Sequence, residues 1–379
     1  VDPSNQTATH VFTQAEKVKS DIESFTLAKE LHNKLNEFRV SNPTSDKLIE
    51  RLHKLYESYA HNVTKIVGRF DLHLAVDLVF RSPLSFYFGK EYVHKGWADV
   101  AIVGDTRCGK GYVAEGLAKY FNVGEVVSAE NSTMAGLVGG LQQFGSKHWT
   151  ITWGKIPLND CGLVVIDEAG NLSEQEWGKL SRVRSEGVAE IVKIQTQLTN
   201  ARTRLIWLAN SKMNKIIAIY SYGIQAIVDL VKAPEDIARF DYVLIVSHDE
   251  VSAEDINMVQ FKSNILYDKS LEHLLIMWTW SRTAKQIVFD EDAIEYIYRL
   301  SIKLSKMYDF SIPLIQGENV RVKLAKIAIC FAARFYNAID NGNILKVEKM
   351  HVECAVFFLS LIYKKESSGY LAYSQINKS

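Results

Sequence analysis

Hydrophobic and polar positions follow three different patterns along the chain. In the first part and in the last part, apolar residues recur at helical spacing, which predicts amphipathic helices. The predicted helices are 20–40, 46–67 and 70–81 in the first part and 292–308, 320–339 and 347–365 in the last. Both ends of the chain are therefore predicted to be helical.

The middle of the chain carries short, uninterrupted apolar runs that alternate with helical segments. Buried parallel strands have this appearance because both of their faces are covered. The runs are 99–103, 125–129, 162–166, 204–209 and 241–246. Strands that alternate with helices predict an α/β fold with a parallel sheet. We expect a helical lead-in and linker over 1–95, an α/β core over 96–250 and an all-helical domain over 251–379.

Composition excludes several classes of protein. Six prolines and the lack of a low-complexity block exclude a disordered or collagen-like chain, and a length of 379 residues predicts two or three domains. No run approaches the ~20 apolar residues of a membrane span. The four cysteines lack zinc-site spacing. A formal net charge of zero argues against a broad basic surface but is compatible with nucleic acid held by a few local cations.

A phosphate-binding loop (P-loop) is predicted where the strand 99–103 ends. The G-x4-G-K pattern stands between a strand and a helix start, the context in which backbone N–H groups and a lysine cradle phosphates. The residues expected to contact nucleotide are Gly104, Asp105, Thr106, Arg107, Cys108, Gly109, Lys110, Gly111 and Tyr112. The pattern departs at Gly111, where a serine or threonine hydroxyl for Mg²⁺ is expected.

Polar residues end the next two apolar strands. Asp167 and Glu168 follow 162–166, where Asp167 would hold Mg²⁺ and Glu168 would act as the base toward the attacking water. Asn210 ends the strand 204–209 and would orient that water or contact the γ-phosphate. The alternatives are a solvated acidic turn for the two acids and an ordinary strand-end residue for Asn210.

These motifs resemble those of the AAA+ ATPases, and most closely the MCM (minichromosome maintenance) helicases. The resemblance covers about residues 60–363, and the family's elements occur in the same order. Beyond the P-loop, the similar segments are 131–138, 144–170, 190–195, 201–204, 238–241, 318–324 and 347–359. The resemblance implies an AAA+ P-loop ATPase core, a parallel sheet with flanking helices, followed by a helical lid. Gly111 and Gln195 depart from the family pattern and indicate a divergent member, such as one from a virus or mobile element.

The resemblance also implies residue roles. Lys110, Asp167, Glu168 and Asn210 would form the core of an ATP–Mg²⁺ site. Arg239 would be the arginine finger that reaches the γ-phosphate of a neighbouring subunit, and Arg321 the lid arginine that acts across the same interface. The alternatives are a salt bridge from Arg239 to Asp236 or Asp241 and a solvated helix start for Arg321.

Two hairpins are implied to face DNA. Lys193 occupies the position of the family's pore-hairpin lysine. An insertion hairpin carries cations beside aromatic residues, which suits phosphate contact and base stacking. Its residues are Lys147, His148, Trp149, Trp153 and Lys155. The alternative is a surface hairpin whose tryptophans pack on their own sheet.

The implied function is a ring-forming, ATP-driven DNA helicase motor in replication. Its expected partners are single-stranded or forked DNA in a central pore and further copies of the chain, six in a hexamer. Its expected location is cytoplasmic or nucleoid-associated, and nuclear in a eukaryote, with no membrane association. Two alternatives stay open: Gly111 favours a nucleotide-gated DNA-binding or scaffold subunit with weak hydrolysis, and Trp149 is compatible with an AAA+ protein remodeller.

Overall fold

The computed structural model describes residues 21–144, 148–192, 196–252, 265–315 and 319–377. The described part of the lead-in, from residue 21, is mainly helical, but it ends in a small antiparallel hairpin that the sequence pattern did not predict. Its elements are α1 (Asp21–Ser24), α2 (Lys29–Leu35), α3 (Ser45–Tyr59), α4 (Phe70–Phe80), β1 (Phe86–Phe88) and β2 (Glu91–Val93). None of the described helices has the length and apolarity that crossing a membrane requires.

The core contains every strand predicted from the apolar runs. The first half comprises β3 (Asp99–Gly104), α5 (Lys110–Phe121), β4 (Glu125–Ser128), α6 (Met134–Leu137), β5 (Gly139–Phe144), β6 (His148–Trp153) and α7 (Lys155–Leu158). The second half comprises β7 (Leu163–Asp167), α8 (Glu174–Glu186), β8 (Val188–Val192), β9 (Thr196–Asn200), β10 (Arg204–Asn210), α9 (Gln225–Val231), α10 (Pro234–Ala238) and β11 (Tyr242–Val246). Strands β5 and β6 form one hairpin, and β8 and β9 form a second.

Five of these strands form one parallel sheet in the order β11-β3-β10-β7-β4. Their apolar residues are almost all buried, which explains the uninterrupted runs in the sequence. The register places Gly104 beside both Asn210 and Val246, and Asp167 beside Ser128. The carboxyl ends of the strands therefore meet along one edge, the position at which open α/β sheets bind ligands.

The last part of the chain is not all-helical, contrary to the sequence-based prediction. It contains a small three-stranded sheet in the order β12-β14-β13. The elements are α11 (Lys269–Trp280), β12 (Ile287–Phe289), α12 (Glu291–Met307), α13 (Val320–Arg334), β13 (Ala338–Ile339), β14 (Ile344–Val347), α14 (Lys349–Tyr363) and α15 (Tyr370–Asn377). These strands have two to four residues each, too few to produce an alternating pattern.

A buried ionic cluster joins the lead-in to the last part of the chain. Glu272 accepts hydrogen bonds from Arg81 at 2.7 Å, Arg334 at 2.6 Å and the Tyr59 hydroxyl at 2.5 Å. Asp77 lies 3.1 Å from Arg81 and 3.3 Å from Arg334. All four charged side chains are at least 97% buried. Two acids and two arginines therefore balance one another in the interior.

Replacing Glu272 with glutamine is expected to lower the free energy of unfolding by about 3–5 kcal/mol, because two buried arginines lose their shared anionic partner. Denaturant titration followed by circular dichroism measures the change. The matched control is Glu295→Gln, which removes an exposed carboxylate beside Arg299 and is expected to cost less than about 1 kcal/mol. Equal midpoints for the two variants would show that the cluster does not stabilise the fold.

Candidate active site

The P-loop is shaped by two glycines and opens onto an uncapped helix. A side chain at Gly104 would place its Cβ 2.0 Å from the carbonyl oxygen of Val246, so only glycine lets β3 and β11 lie this close. Gly109 has φ +82°, which favours glycine, and directly precedes α5. No side chain among the described residues caps this helix. The N–H groups of its first turn are therefore available to an anionic ligand.

Lys110 lies across the loop with its ammonium group buried. Its Nζ donates to the carbonyl oxygens of Gly104 at 3.0 Å and Asp105 at 2.6 Å, and to Oδ1 of Asn210 at 3.0 Å. Burial lowers the pKa of Lys110, and the neighbouring Cys108 and Asp105 partly offset that effect. The predicted lysine and strand-end amide are thus in direct contact.

The Asp105 carboxylate bonds to the segments that follow β10 and β11. Its Oδ1 accepts from the Ile217 N–H at 2.7 Å, and its Oδ2 accepts from the His248 N–H at 2.9 Å and the Ser247 hydroxyl at 3.3 Å. Burial alone would raise the pKa of Asp105, but these hydrogen bonds outweigh it and hold the pKa below its ordinary value. The side chain therefore fastens the loop to the end of β11.

The remaining predicted loop residues divide by exposure. Thr106 and Arg107 are exposed, and Cys108 is buried. Tyr112 lies in the first turn of α5, and its side chain is 74% exposed.

Asp167 and Glu168 stand together at the end of β7. Oδ1 of Asp167 accepts the backbone N–H of Glu168 at 2.8 Å, and Glu168 has a left-handed φ of +55°. Burial raises the pKa of Glu168, the negative charges of Asp167 and Glu130 raise it further, and Lys110 opposes the rise. A carboxylate with a raised pKa is suited to accept a proton from water.

Gly111, where the P-loop pattern expects a serine or threonine hydroxyl, lies beside Asp167. A Cβ built on Gly111 would lie 3.7 Å from Oδ2 of Asp167 and 4.0 Å from Oε1 of Glu115, with no closer neighbour. Across the described chain, no three His, Cys, Asp or Glu residues are grouped to hold a metal without further ligands. Asp167 fits a Mg²⁺ that is also held by nucleotide phosphates, because carboxylate and phosphate oxygens are its preferred ligands. Glu115 belongs to no motif, and sequence reasoning missed it.

The family model of the MCM P-loop domain matches residues 45–265, more than half of the chain. The chain belongs to the MCM family. The match includes the P-loop, the acidic strand β7 and both hairpins, and it confirms the AAA+ P-loop ATPase fold class. Helicases and ATPases of this family bind nucleotide. No curated protein matches this MCM-family chain.

Arg239 of this MCM-family protein lies near the amino-terminal ends of the parallel strands. The P-loop lies at their carboxyl-terminal ends. The backbone N–H of Asp241 bonds to the carbonyl oxygen of Asp99, the first residue of β3. At about 3.3 Å per residue, β3 separates the amino-terminal ends from the P-loop by roughly 17 Å. Arg239 forms an ion pair with Asp236 at 2.5 Å, the intrachain contact weighed from the sequence. It cannot reach the phosphates bound to its own chain.

Arg321 lies at the same end of the sheet as Arg239. It is the second residue of α13 and pairs with Glu91 of β2 at 3.0 Å. Lys326, further along that helix, bonds to Asp241 at 2.6 Å. A cleft of about 670 Å³ opens between α10 and the start of α13, and Arg239 lines it. The structure therefore groups the two arginines away from Lys110.

The two hairpins lie side by side. A Cβ on Gly139 of β5 would lie 2.8 Å from Cδ1 of Ile191 in β8. Trp149 is 40% exposed, whereas Trp153 packs on the hydrophobic core. Lys155 is the first residue of α7, beyond the hairpin, and pairs with Glu125 at 2.5 Å. It therefore lies at the base of the insertion hairpin.

Three predicted DNA contacts can be placed only along the chain. His148 is paired with Phe144 in the β5–β6 register. Lys147, between β5 and β6, and Lys193, between β8 and β9, lie outside the described residues.

Proposed function

We propose that this protein is a ring-forming ATP-driven DNA helicase motor, a hexamer that moves along single-stranded or forked DNA during replication, in the nucleoid or nucleus. The observation that carries the proposal is the separation of Lys110 from Arg239 and Arg321 across the sheet. An arginine stabilises phosphoryl transfer only by touching the phosphates. One complete site therefore needs two copies of the chain, and a head-to-tail contact of this kind forms a ring when its rotation closes.

Each residue at the carboxyl edge has a chemical task. Lys110 exchanges its contacts with loop carbonyls for phosphate oxygens, and the first-turn N–H groups of α5 bind the same anion. Glu168 accepts a proton from the attacking water, which Asn210 orients. Asp167 would hold Mg²⁺. When bound, that ion neutralises charge on the phosphates.

A small cavity beside the P-loop fits the base of the nucleotide. Its volume is about 110 Å³, and its lining includes the aliphatic residues Ile66, Val67 and Val251 together with Gly109. Stacking of a planar base against aliphatic side chains is compatible with this lining. We assign it as the adenine side of the site.

The second hairpin gives the nucleotide site a path to DNA. Strand β9 leads through a short connection into β10, and β10 ends at Asn210, which contacts Lys110. A change at the γ-phosphate is therefore transmitted along β10 to the hairpin that carries Lys193. The insertion hairpin packs against it, with Trp149 exposed for stacking on bases.

Replacing Lys193 with alanine is expected to weaken binding of single-stranded DNA and to reduce its salt dependence. Each lost phosphate contact lowers the slope of log K against log salt by about 0.7. Fluorescence anisotropy at several salt concentrations measures both quantities. Lys349→Ala, which removes a half-exposed lysine from α14, is the matched control. An unchanged slope for Lys193→Ala would contradict the pore-hairpin assignment.

Gly111 favours one other function, a nucleotide-gated DNA scaffold with weak hydrolysis. Hydrolysis measured with Mg²⁺, with and without single-stranded DNA, separates the two. DNA-stimulated turnover supports the motor. Turnover at background with nucleotide still bound supports the scaffold, and Gly111→Ser is then expected to raise the rate, because the added Cβ meets no atom closer than 3.7 Å.

A further inference from the structure

Because residue 111 is glycine, the P-loop lacks the side-chain hydroxyl oxygen that normally binds Mg²⁺. In a P-loop, the side chain after the lysine supplies a hydroxyl ligand to the metal. Glycine has no atom for this purpose, and Mg²⁺ requires nearly ideal octahedral coordination. Either the position is filled by water alone, or another side chain of this protein reaches it.

Glu115 is placed to fill that position. It lies one helical turn after Gly111 on α5, so both residues are on the same face of the helix. Its Oε1 and Oδ2 of Asp167 are the two atoms within 4 Å of the Cβ position at Gly111, at 4.0 and 3.7 Å. The two carboxylates therefore converge on the space that a serine side chain would occupy.

The direction of the Glu115 side chain is not explained by an ion pair. Lys119 lies four residues later on the same helix, a spacing at which glutamate and lysine commonly pair. Glu115 is exposed, and among the described residues neither Lys119 nor another side chain forms an ion pair or hydrogen bond with its carboxylate. Side chains on a helix point toward its N-terminus, and here that direction leads to the phosphate-binding end.

Negative charge around the site favours binding of a divalent metal ion by the Glu115 carboxylate. The negative charges of Asp167 and Glu130 act on Glu168, and Lys110 is the cation that offsets them there. Glu115 adds a further negative charge to the same edge. A nucleotide triphosphate approaching this edge meets carboxylates that repel it until a divalent cation bridges them.

We propose that Glu115 replaces the missing hydroxyl as a ligand of Mg²⁺, directly or through one water. The proposal rests on the proposed nucleotide site and explains how that site tolerates Gly111. It makes the site depend on Mg²⁺ for nucleotide affinity as well as for chemistry.

The test measures the affinity for a fluorescent, non-hydrolysable ATP analogue in Mg²⁺ and in EDTA. In the wild type, Mg²⁺ is expected to tighten binding. Glu115→Gln is expected to weaken this Mg²⁺-dependent tightening about 10–100-fold, with no loss of affinity in EDTA. Gly111→Ser in the Glu115→Gln background is expected to restore it, because the hydroxyl returns to the same space. Electron paramagnetic resonance of Mn²⁺ counts the bound metal independently.

The matched control is Lys119→Gln, which removes the cation one helical turn after Glu115 and keeps the carboxylate. If it reproduces the effect of Glu115→Gln, Glu115 acts through the helix and the proposal is wrong. Full Mg²⁺-dependent tightening in Glu115→Gln, or no restoration by Gly111→Ser, also overturns it. If the wild-type affinity for the ATP analogue is the same in Mg²⁺ and in EDTA, this inference is wrong and the proposed function is unaffected. The absence of nucleotide binding in both buffers overturns the proposed function itself.

Discussion

Replacing Glu168 with glutamine is expected to reduce ATP hydrolysis about 10²–10⁴-fold while nucleotide remains bound, because the amide cannot accept a proton from water. Steady-state phosphate release and binding of a fluorescent nucleotide measure the two effects on the same preparation. Glu174→Gln is the control, since Glu174 begins α8 just beyond the site and is exposed. Hydrolysis that survives in Glu168→Gln would show that another group activates the water.

The raised pKa of Glu168 also predicts how the rate of ATP hydrolysis depends on pH. The base works only when ionised, so the rate falls as pH drops through the pKa of Glu168. Glu130 contributes to the rise in this pKa. Glu130→Gln should therefore move the acidic limb of the pH–rate profile to lower pH. A limb that stays in place would indicate that Glu168 is not the titrating group.

Replacing Arg239 with alanine is expected to reduce hydrolysis about 10³–10⁵-fold. Lys110→Ala is expected to be inactive as well, because the P-loop loses its buried ammonium group. The two inactive proteins, mixed in equal amounts, should regain activity. A site formed between them combines Lys110 of one copy with Arg239 of the other, and random assembly completes about one interface in four.

The mixing experiment tests the position of Arg239 across the sheet, since a site contained within one chain gains nothing from mixing. Arg299→Ala, which removes an exposed arginine from α12, is the control and should keep wild-type activity. A mixture as inactive as its two components would contradict the shared site.

The core of the fold was predictable because its physical signals are local. A strand buried on both faces is an uninterrupted apolar run, and the P-loop glycines are needed for a close approach at Gly104 and a positive φ at Gly109. Helix α11 was missed for the opposite reason. It is buried nearly all round, from Leu271 to Trp280, and such a helix lacks an amphipathic period.

The site was predictable only as far as motifs extend. Lys110 and Asn210 are in contact, as expected of residues that end or follow parallel strands whose carboxyl ends meet at one edge, and their roles toward nucleotide stay predictions. The role of Asp105 was not predictable, since its partners Ile217 and His248 are more than a hundred residues away along the chain. Glu115 had no signal at all, because its relation to Gly111 depends on the direction of one side chain.

The buried ionic cluster around Glu272 restricts conformational change within one chain. If the lid rotated away from the lead-in, Arg81 would separate from Glu272 and Arg334 from Asp77 inside the protein. Separating such a buried pair costs several kcal/mol, a large fraction of the free energy that one ATP can deliver. We therefore expect each protomer to move as a rigid body. In the proposed ring, movement would then occur between protomers, at the clefts that Arg239 lines.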